Sequence, residues 1–205
     1  MSKLKIYGIP GSRAIRSLWL AEELRAEIGF DYELVNTDFL EQSKTPEYLA
    51  INPNGKVPAI EDDGFVLFES LAINLYLVKK HKSSLSPRDL QEEARITQWS
   101  VWALTELEES LIVLVLRSSE VAFLPPDEEI ENAAREKLKR PMAVLNDHLQ
   151  DKSWLAAERF TLADQYVASV MTLMRYSGFD LSQYAVNTWL DSCLARPAYL
   201  AAQQV

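Results

Sequence analysis

The sequence predicts an α+β domain followed by an all-α domain. Over residues 1–81, short segments with the alternating apolar residues of β-strands are interspersed with segments of helical spacing. The polar run KSSLSP at 82–87 then interrupts the chain. Beyond it, apolar residues recur at three- and four-residue steps, the spacing of helices. We therefore expect an α+β domain over 1–81, a linker over 82–87 and a helical bundle over 88–205.

The first domain has the predicted order βαβ followed by ββα. Alternation predicts a first strand at 3–9, and Pro10-Gly11 breaks it. Ser12 then opens a helix that continues to about Arg25. The remaining elements are a strand at 31–38, a helical turn at 45–49, strands at 57–61 and 65–68 joined by Asp63-Gly64, and a helix from 69 to about 81. This order is typical of a thioredoxin-like domain.

The apolar residues of the second domain have helical spacing throughout. One long helix is expected from about 88 to 117, and another from 127 to 149 in which Pro141 should introduce a kink or join two helices. Thr161 and Asp164 form a capping-box pattern before an apolar-periodic run. The last helices are expected near 183–194 and from Pro197 onward.

Residues 52–70 carry the most informative local pattern, because two binding features occur close together. Pro58 stands where a loop becomes a strand, and an X-Pro bond has only a small preference for trans, so a cis bond is accessible there. A cis bond would turn the N–H and C=O of Val57 outward, free to pair with an extended peptide. Glu69-Ser70 then precedes a helical pattern, and helix N-termini bind carboxylates.

The motif N-P-x-G-K-V-P-A-I, followed about ten residues later by E-S-x-A-I, resembles the N-terminal domain of cytosolic glutathione S-transferases. F-T-L-A-D and R-P-A-Y in the second half are also similar to that family, so the resemblance covers nearly the whole chain. It implies the glutathione S-transferase fold, with glutathione as co-substrate, a hydrophobic electrophile as its acceptor, and a homodimer. It also implies that Val57, before Pro58, pairs with the cysteinyl unit of glutathione and that Glu69 and Ser70 hold its γ-glutamyl end.

The family reaction is attack by the glutathione thiolate, so the site must favour that anion over a thiol of pKa about 8.5. Ser12 is the preferred donor, because the run SRAIRSLWLAEEL resembles bacterial and fungal members that carry a catalytic Ser or Cys near this point. Its alternative use is as a helix N-cap, which is compatible with catalysis. Tyr7 is the competing donor, although an ordinary core aromatic is the better interpretation of it. The backbone N–H of Ser12, or Arg13, is a third possibility.

The glycyl carboxylate of glutathione needs a cation, for which Lys44 and Lys56 are the candidates. On the long helix, Trp102 and Glu106 could line the electrophile site, because the family uses this helix for that purpose. Packing in the helical core is the competing use of Trp102. His81 and His148 are far apart and show no metal-ligand spacing, so no metal is expected.

Composition limits the classes of partner. The formal net charge of −9 argues against nucleic acid and anionic membranes, since both attract Lys/Arg patches. Cys193 is the only cysteine, which favours a reducing compartment. No apolar run is long enough for a signal peptide or a membrane span, so a cytoplasmic location is expected.

Two alternatives to a conjugating transferase stay open from the sequence, and a third is disfavoured. The same fold serves non-enzymatic interaction proteins such as bacterial starvation proteins, and fold does not fix function. A glutathione-dependent peroxidase or isomerase would use the same binding residues. A disulfide or dehydroascorbate reductase would need a cysteine near position 12, and the chain has none there.

Overall fold

The computed structural model describes residues 3–182 and 184–205, and these form two compact units. One unit consists of the chain up to Ser86 together with Ala195–Val205, and the other of Pro87–Leu194. The predicted linker at 82–87 therefore includes the boundary between the units. The structure differs from the prediction in placing the C-terminal segment in the first unit rather than in the helical one.

The first unit contains a four-stranded mixed sheet of order β2-β1-β3-β4. β1 pairs in parallel with β2 and antiparallel with β3, and β3 pairs antiparallel with β4. The predicted βαβ-ββα order is confirmed. The strands are β1 (Leu4–Gly8), β2 (Tyr32–Asn36), β3 (Ala59–Asp62) and β4 (Phe65–Phe68). The helices of this unit are α1 (Ile15–Ile28), α2 (Pro46–Leu49), α3 (Ser70–Lys80) and α9 (Pro197–Ala202).

Helix α1 starts later than predicted. Pro10 to Ala14 form turns, and the helix begins at Ile15, so Ser12 lies three residues before it. The hydroxyl of Ser12 accepts a hydrogen bond from the Ala14 N–H at 3.1 Å, within this turn rather than on the helix itself. The interpretation of Ser12 as the helix N-cap is therefore wrong.

Helix α9 packs against α1 through a partly buried ion pair. The Glu23 carboxylate is almost fully buried and accepts bonds of 2.6 and 2.8 Å from the Nε and Nη2 of Arg196. The indole of Trp19 also donates to Glu23, and its ring lies 4.8 Å from that of Tyr199. A bidentate Arg–carboxylate pair combines charge with fixed geometry. The Glu23–Arg196 pair explains why the segment Ala195–Val205 belongs to the first unit.

The second unit is helical, as predicted. Its helices are α4 (Leu90–Trp102), α5 (Glu109–Arg117), α6 (Glu128–Gln150), α7 (Leu162–Met171) and α8 (Ala185–Leu194). The expected long helix at 88–117 is α4 and α5 joined by a π-helical segment, Ala103–Glu108. Helix α6 continues through Pro141, so the alternative of two joined helices is wrong. The predicted start of the helix near 183 falls on Gln183, outside the described residues.

The predicted apolar faces form the core of the second unit. Ile96, Ala103, Leu107 and Leu111 are fully buried on the α4–α5 side, as expected. The predicted capping box is present at α7, where Thr161 and Asp164 bond to each other's backbone N–H groups. Among the described residues, no helix is long and apolar enough to cross a membrane.

Candidate active site

Gly8, the last residue of β1, lies between Val57 and Ala14, the residue that ends the turn of Ser12. A Cβ built on Gly8 would lie 2.3 Å from the Ala14 Cβ and 3.6 Å from the Val57 Cβ. Val57 is buried, its peptide bond to Pro58 is cis, and it stands outside the register of β3, whose pairing with β1 ends at Ala59. Among the described residues, no backbone hydrogen bond reaches the N–H or C=O of Val57. The start of α1 and the end of this loop therefore meet at the C-terminal end of β1.

Ser12 is half-buried and its hydroxyl is already bonded. It donates to the Ile9 carbonyl at 2.7 Å while it accepts from the Ala14 N–H. A serine hydroxyl has a single proton, so donation to a thiolate requires the O–H to rotate away from the Ile9 carbonyl. Arg13 is exposed in the same turn. The predicted donor thus lies in the turn that leads to Ala14, with its side chain partly exposed to solvent.

Tyr7 occupies the core position that was expected of it. Its side chain is only 8% exposed, and its ring packs edge-on against Tyr48 with centroids 5.9 Å apart. The phenol donates to Glu61 Oε2 at 3.0 Å. Burial, and then the bond to the Glu61 carboxylate, raises the pKa of Tyr7 to about 12. A phenol that donates to a carboxylate in this way is poorly placed to stabilise a thiolate.

The two candidate lysines flank the loop that leads to Val57. The Lys44 ammonium donates to the Gly55 carbonyl, whereas the exposed Lys56 has no side-chain partner among the described residues. The Lys56 carbonyl accepts 2.6 Å bonds from both Tyr48 and Asn52. The loop is therefore held by side chains on both sides, while the ammonium of Lys56 stays in solvent.

Glu69 and Ser70 form the corner between β4 and α3. Glu69 has a φ of +72°, an uncommon value for a residue other than glycine, and it is exposed, whereas Ser70 begins the helix and is buried. The neighbouring Phe68 packs against the cluster of Tyr7, Tyr48, Val57 and Ala59. This packing brings the corner and the Val57 loop to the same apolar cluster.

Asn74, the fifth residue of α3, joins this helix to the first turn of α1. It is fully buried, accepts from the Ser17 hydroxyl at 2.8 Å and donates to the Arg16 carbonyl at 3.0 Å. These two bonds fix α3 relative to α1. Predicted site residues lie at the N-terminal side of both helices, so Asn74 also helps to position them. Neither Asn74 nor Gly8 was identified from the sequence. The glycine after a predicted strand and before a turn was the available signal for Gly8.

Trp102 and Glu106 lie in the second unit. Trp102 is the last residue of α4, is half-buried and packs edge-on against Trp99 at 5.1 Å. Glu106 is exposed in the π-helical segment. Within the part of the chain that the structure describes, no group of three or more His, Cys, Asp or Glu side chains could hold a metal ion.

Replacement of Gly8 by alanine should destabilise the first unit and distort the site. The new methyl group would overlap Ala14, and the φ of +151° is unfavourable for a residue with a Cβ. We expect a loss of about 2 kcal/mol in the free energy of unfolding, measured by denaturant titration. Gly11→Ala is the matched control, because no atom lies within 4 Å of its added Cβ. Equal stabilities for the two variants would contradict the close approach at Gly8.

Two family models match the chain. The glutathione S-transferase N-terminal domain matches residues 2–79, and the glutathione S-transferase C-terminal domain matches residues 104–197. Glutathione S-transferase 3 of Zea mays is 32% identical over 97% of this chain and 92% of its own length. Glutathione S-transferase D7 of Drosophila melanogaster is 31% identical over 94% of this chain and 84% of its own length.

The fold is also similar to solved structures. A structure of glutathione S-transferase-I bound with lactoylglutathione matches with a TM-score of 0.84 and 28% identity, and the match covers 99% of both chains. The similarity therefore includes both units rather than the sheet alone.

Proposed function

Because this chain belongs to the glutathione S-transferase family, we propose that it binds glutathione beside Val57 and transfers it to a hydrophobic electrophile. The proposal is supported by the close approach at Gly8, which has Ala14, at the end of the turn of Ser12, on one side and Val57 on the other. An extended tripeptide could pair there with the backbone of Val57 and place its sulfur near the Ser12 hydroxyl. We assign the binding of glutathione to the first unit, in agreement with the predicted domain at 1–81.

Ser12 is proposed as the donor to the thiolate. A hydrogen bond to a charged acceptor contributes roughly 1.5–3 kcal/mol, which lowers a thiol pKa by about one to two units. A helix dipole acts mainly within the first turn, and α1 begins three residues after Ser12, so the hydroxyl is assigned the larger share. The Ser12 O–H would turn from the Ile9 carbonyl toward the sulfur by rotation about the Cβ–Oγ bond. Arg13 and the Ser12 N–H are the remaining donors in this turn.

The two ends of glutathione are assigned to the flanking elements. Glu69 and Ser70 would hold the γ-glutamyl end, where the dipole at the N-terminus of α3 favours a carboxylate. Lys56 is the better candidate for the glycyl carboxylate, because the Lys44 ammonium already donates to Gly55. Trp102 and Glu106 are proposed for the electrophile.

Binding of glutathione is tested by retention on glutathione-agarose and by the thermal shift that millimolar glutathione produces. We expect retention and a measurable rise in Tm, because a ligand that binds only the folded state stabilises it. A protein that is not retained on the column and shows no change in Tm with glutathione would contradict the proposal.

Ser70→Ala should weaken glutathione binding about tenfold in Kd, because a hydrogen bond to the charged γ-glutamyl end is lost. Isothermal titration calorimetry measures the change. Ser84→Ala, an exposed serine of the same unit, serves as the control and should bind as the parent does. Unchanged affinity in Ser70→Ala would count against the γ-glutamyl assignment.

We further propose that the protein is a cytoplasmic homodimer. The exposed apolar side chains of Phe65 and Val66 support self-association, since they lie on β4, the edge strand of the sheet. Sedimentation velocity should report twice the mass of the chain. A Phe65→Lys substitution should shift the protein toward monomer, whereas Phe123→Lys, at an exposed loop position of the second unit, should leave the mass unchanged.

A further inference from the structure

Asn74 is a fully buried amide of the first unit, and both of its polar groups bond to α1. Its Oδ1 accepts from the Ser17 hydroxyl at 2.8 Å, and its Nδ2 donates to the Arg16 carbonyl at 3.0 Å. The Ser17 side chain is fully buried as well. Buried polar groups cost free energy unless they are hydrogen-bonded, so this contact restricts α1 and α3 to a narrow range of relative positions.

The chemistry of this contact requires an amide at position 74. The Arg16 carbonyl can only accept, so the NH₂ group must face it, and Oδ1 is then left to accept from Ser17. A carboxylate would accept from Ser17 but would repel the Arg16 carbonyl, whereas leucine would fill a similar space with neither bond. Asn74 therefore fixes a position in addition to filling the core.

On the α1 side, the contact leads directly to the turn of Ser12. Three successive N–H groups bond back to carbonyls of this turn: Ile15 to Ser12 at 3.1 Å, Arg16 to Arg13 at 3.3 Å and Ser17 to Ala14 at 3.0 Å. Arg16 and Ser17, which Asn74 holds, therefore also anchor the turn. A shift of α1 at these two residues is transmitted to Ser12 through the backbone bonds.

On the α3 side, Asn74 lies one helical turn after Ser70. Residues four positions apart share one face of an α-helix, so these two lie on the same face of α3. At the corner before the helix, the Glu69 carbonyl accepts from the Ile73 N–H at 2.9 Å. The backbone bonds of the first helical turn thus connect Glu69 and Ser70 to the turn that carries Asn74.

We propose that Asn74 is a positioning residue that couples the binding of the γ-glutamyl end to the ionisation of the glutathione thiol. The inference rests on the proposed glutathione site, in which Glu69 and Ser70 hold that end and Ser12 donates to the sulfur. One tripeptide spans both places. The distance between the start of α3 and the turn of Ser12 therefore determines how well the sulfur meets the hydroxyl, and the two bonds of Asn74 set that distance.

A small displacement of α1 relative to α3 affects the contacts of glutathione unequally. The bond from Ser12 to the thiolate is a single hydrogen bond, and such bonds weaken steeply as their geometry departs from the optimum. The rest of the tripeptide is assigned to several contacts, at Val57 and at the start of α3, which share the displacement. Loss of the Asn74 bonds should therefore reduce stabilisation of the thiolate more than affinity for glutathione.

Asn74→Leu is the direct test, because leucine has a similar volume and makes neither bond. We expect the pKa of the bound thiol to rise by about one unit, which lowers kcat near neutral pH by up to about tenfold. The KM for glutathione should stay within about threefold of the parent value. The lost kcat should return as the pH is raised, because the thiolate then forms without the hydroxyl.

The pKa of the bound thiol is measured from the ultraviolet absorbance of the thiolate, with the spectrum of glutathione-free protein subtracted. Steady-state kinetics across the same pH range gives kcat and KM. Ser17→Ala removes the hydroxyl alone, so it should raise the thiol pKa by a smaller amount. This second variant decides the matter if Asn74→Leu does not fold.

Leu77→Ala is the matched control for a loss of packing. Leu77 is a fully buried residue of the same helix, and its side chain forms no hydrogen bond. Its truncation should lower the free energy of unfolding while the pKa of the bound thiol stays at the parent value.

A double-mutant cycle tests whether Asn74 acts through Ser12. Asn74→Leu should raise the thiol pKa in the parent but not in the Ser12→Ala variant, where the donor is already missing. Full additivity of the two substitutions would overturn the inference, and so would an equal rise of the thiol pKa in Leu77→Ala.

Folded Asn74→Leu and Ser17→Ala variants whose bound thiol keeps the parent pKa would overturn this inference and leave the proposed glutathione site standing. A parent protein that binds no glutathione would contradict the proposed function itself, together with this inference. Column retention and the thermal shift of the parent separate these two results.

Discussion

Asp164→Ala is expected to lower the free energy of unfolding by about 3–5 kcal/mol, the largest stability change that we predict. The carboxylate is fully buried and accepts four hydrogen bonds. Its donors are the Leu155 N–H at 2.8 Å, the Thr161 N–H at 2.9 Å, the Thr161 hydroxyl at 3.0 Å and the Trp189 indole at 3.2 Å. Alanine leaves these buried donors without an acceptor, and each such loss costs roughly 1–3 kcal/mol.

Denaturant unfolding measures this change in the free energy of unfolding, and two other variants serve as comparisons. Asp164→Asn keeps one acceptor oxygen and should lose less stability than the alanine variant. Asp147→Ala removes an exposed carboxylate from α6 and should be nearly neutral. Equal stability of Asp164→Ala and Asp147→Ala would mean that the network contributes nothing.

Asp164 also couples folding to pH. Burial raises the pKa of its carboxyl, although the hydrogen bonds from Leu155 and Thr161 act in the opposite direction. A raised folded-state pKa means that the folded protein binds this proton more tightly than the unfolded chain does. The contribution of Asp164 to stability therefore decreases as the pH rises from the unfolded pKa through the folded one.

Ser12→Ala is expected to lower kcat by about 100-fold with little change in the KM for glutathione. The hydroxyl is proposed to act on the thiolate rather than on the placement of the tripeptide, and removal of one donor to a reacting anion typically costs this much. Steady-state kinetics with a chromogenic electrophile separates the two constants. The pH at which the bound thiol ionises should rise in the same variant, because the anion loses its hydrogen bond.

Tyr7→Phe is the matched control for Ser12→Ala. Its phenol donates to Glu61, so its removal should leave kcat within a few fold and mainly affect stability, by roughly 1 kcal/mol. A fully active Ser12→Ala together with an inactive Tyr7→Phe would reverse the assignment.

The sequence predicted the elements well because periodicity and turn residues act locally. Strand β4 and the capping box at Thr161 were found where Asp63-Gly64 and the T-x-x-D spacing indicated. The start of α1 was not predicted correctly, because Ser12 is equally suited to a helix N-cap and to a turn. Only the packing of Ala14 against Gly8 decides between these two conformations. The π-helical turn at Ala103–Glu108 was also hidden, since Leu107 and Leu111 stay buried in either form.

The candidate site was predictable where a motif carries it and hidden where distant residues meet. Pro58 and Glu69-Ser70 stand out in the sequence because of their residue types and spacing. The bonds of Asn74 to α1 join residues 57 and 58 positions apart, and that of Tyr7 joins residues 54 positions apart. No local pattern encodes such pairs, so the sequence left Tyr7 and Ser12 as competing donors.

The Glu23–Arg196 pair joins residues 173 positions apart, and it has a consequence for synthesis of the protein. On the ribosome, Glu23 emerges long before Arg196, and until then its carboxylate has no guanidinium to bond. Helix α1 therefore lacks this contact with α9 while the whole of Pro87–Leu194 is translated. The first unit is thus completed only after the second unit has been synthesised, and a fragment that stops before Ala195 would carry the proposed tripeptide-binding residues without α9.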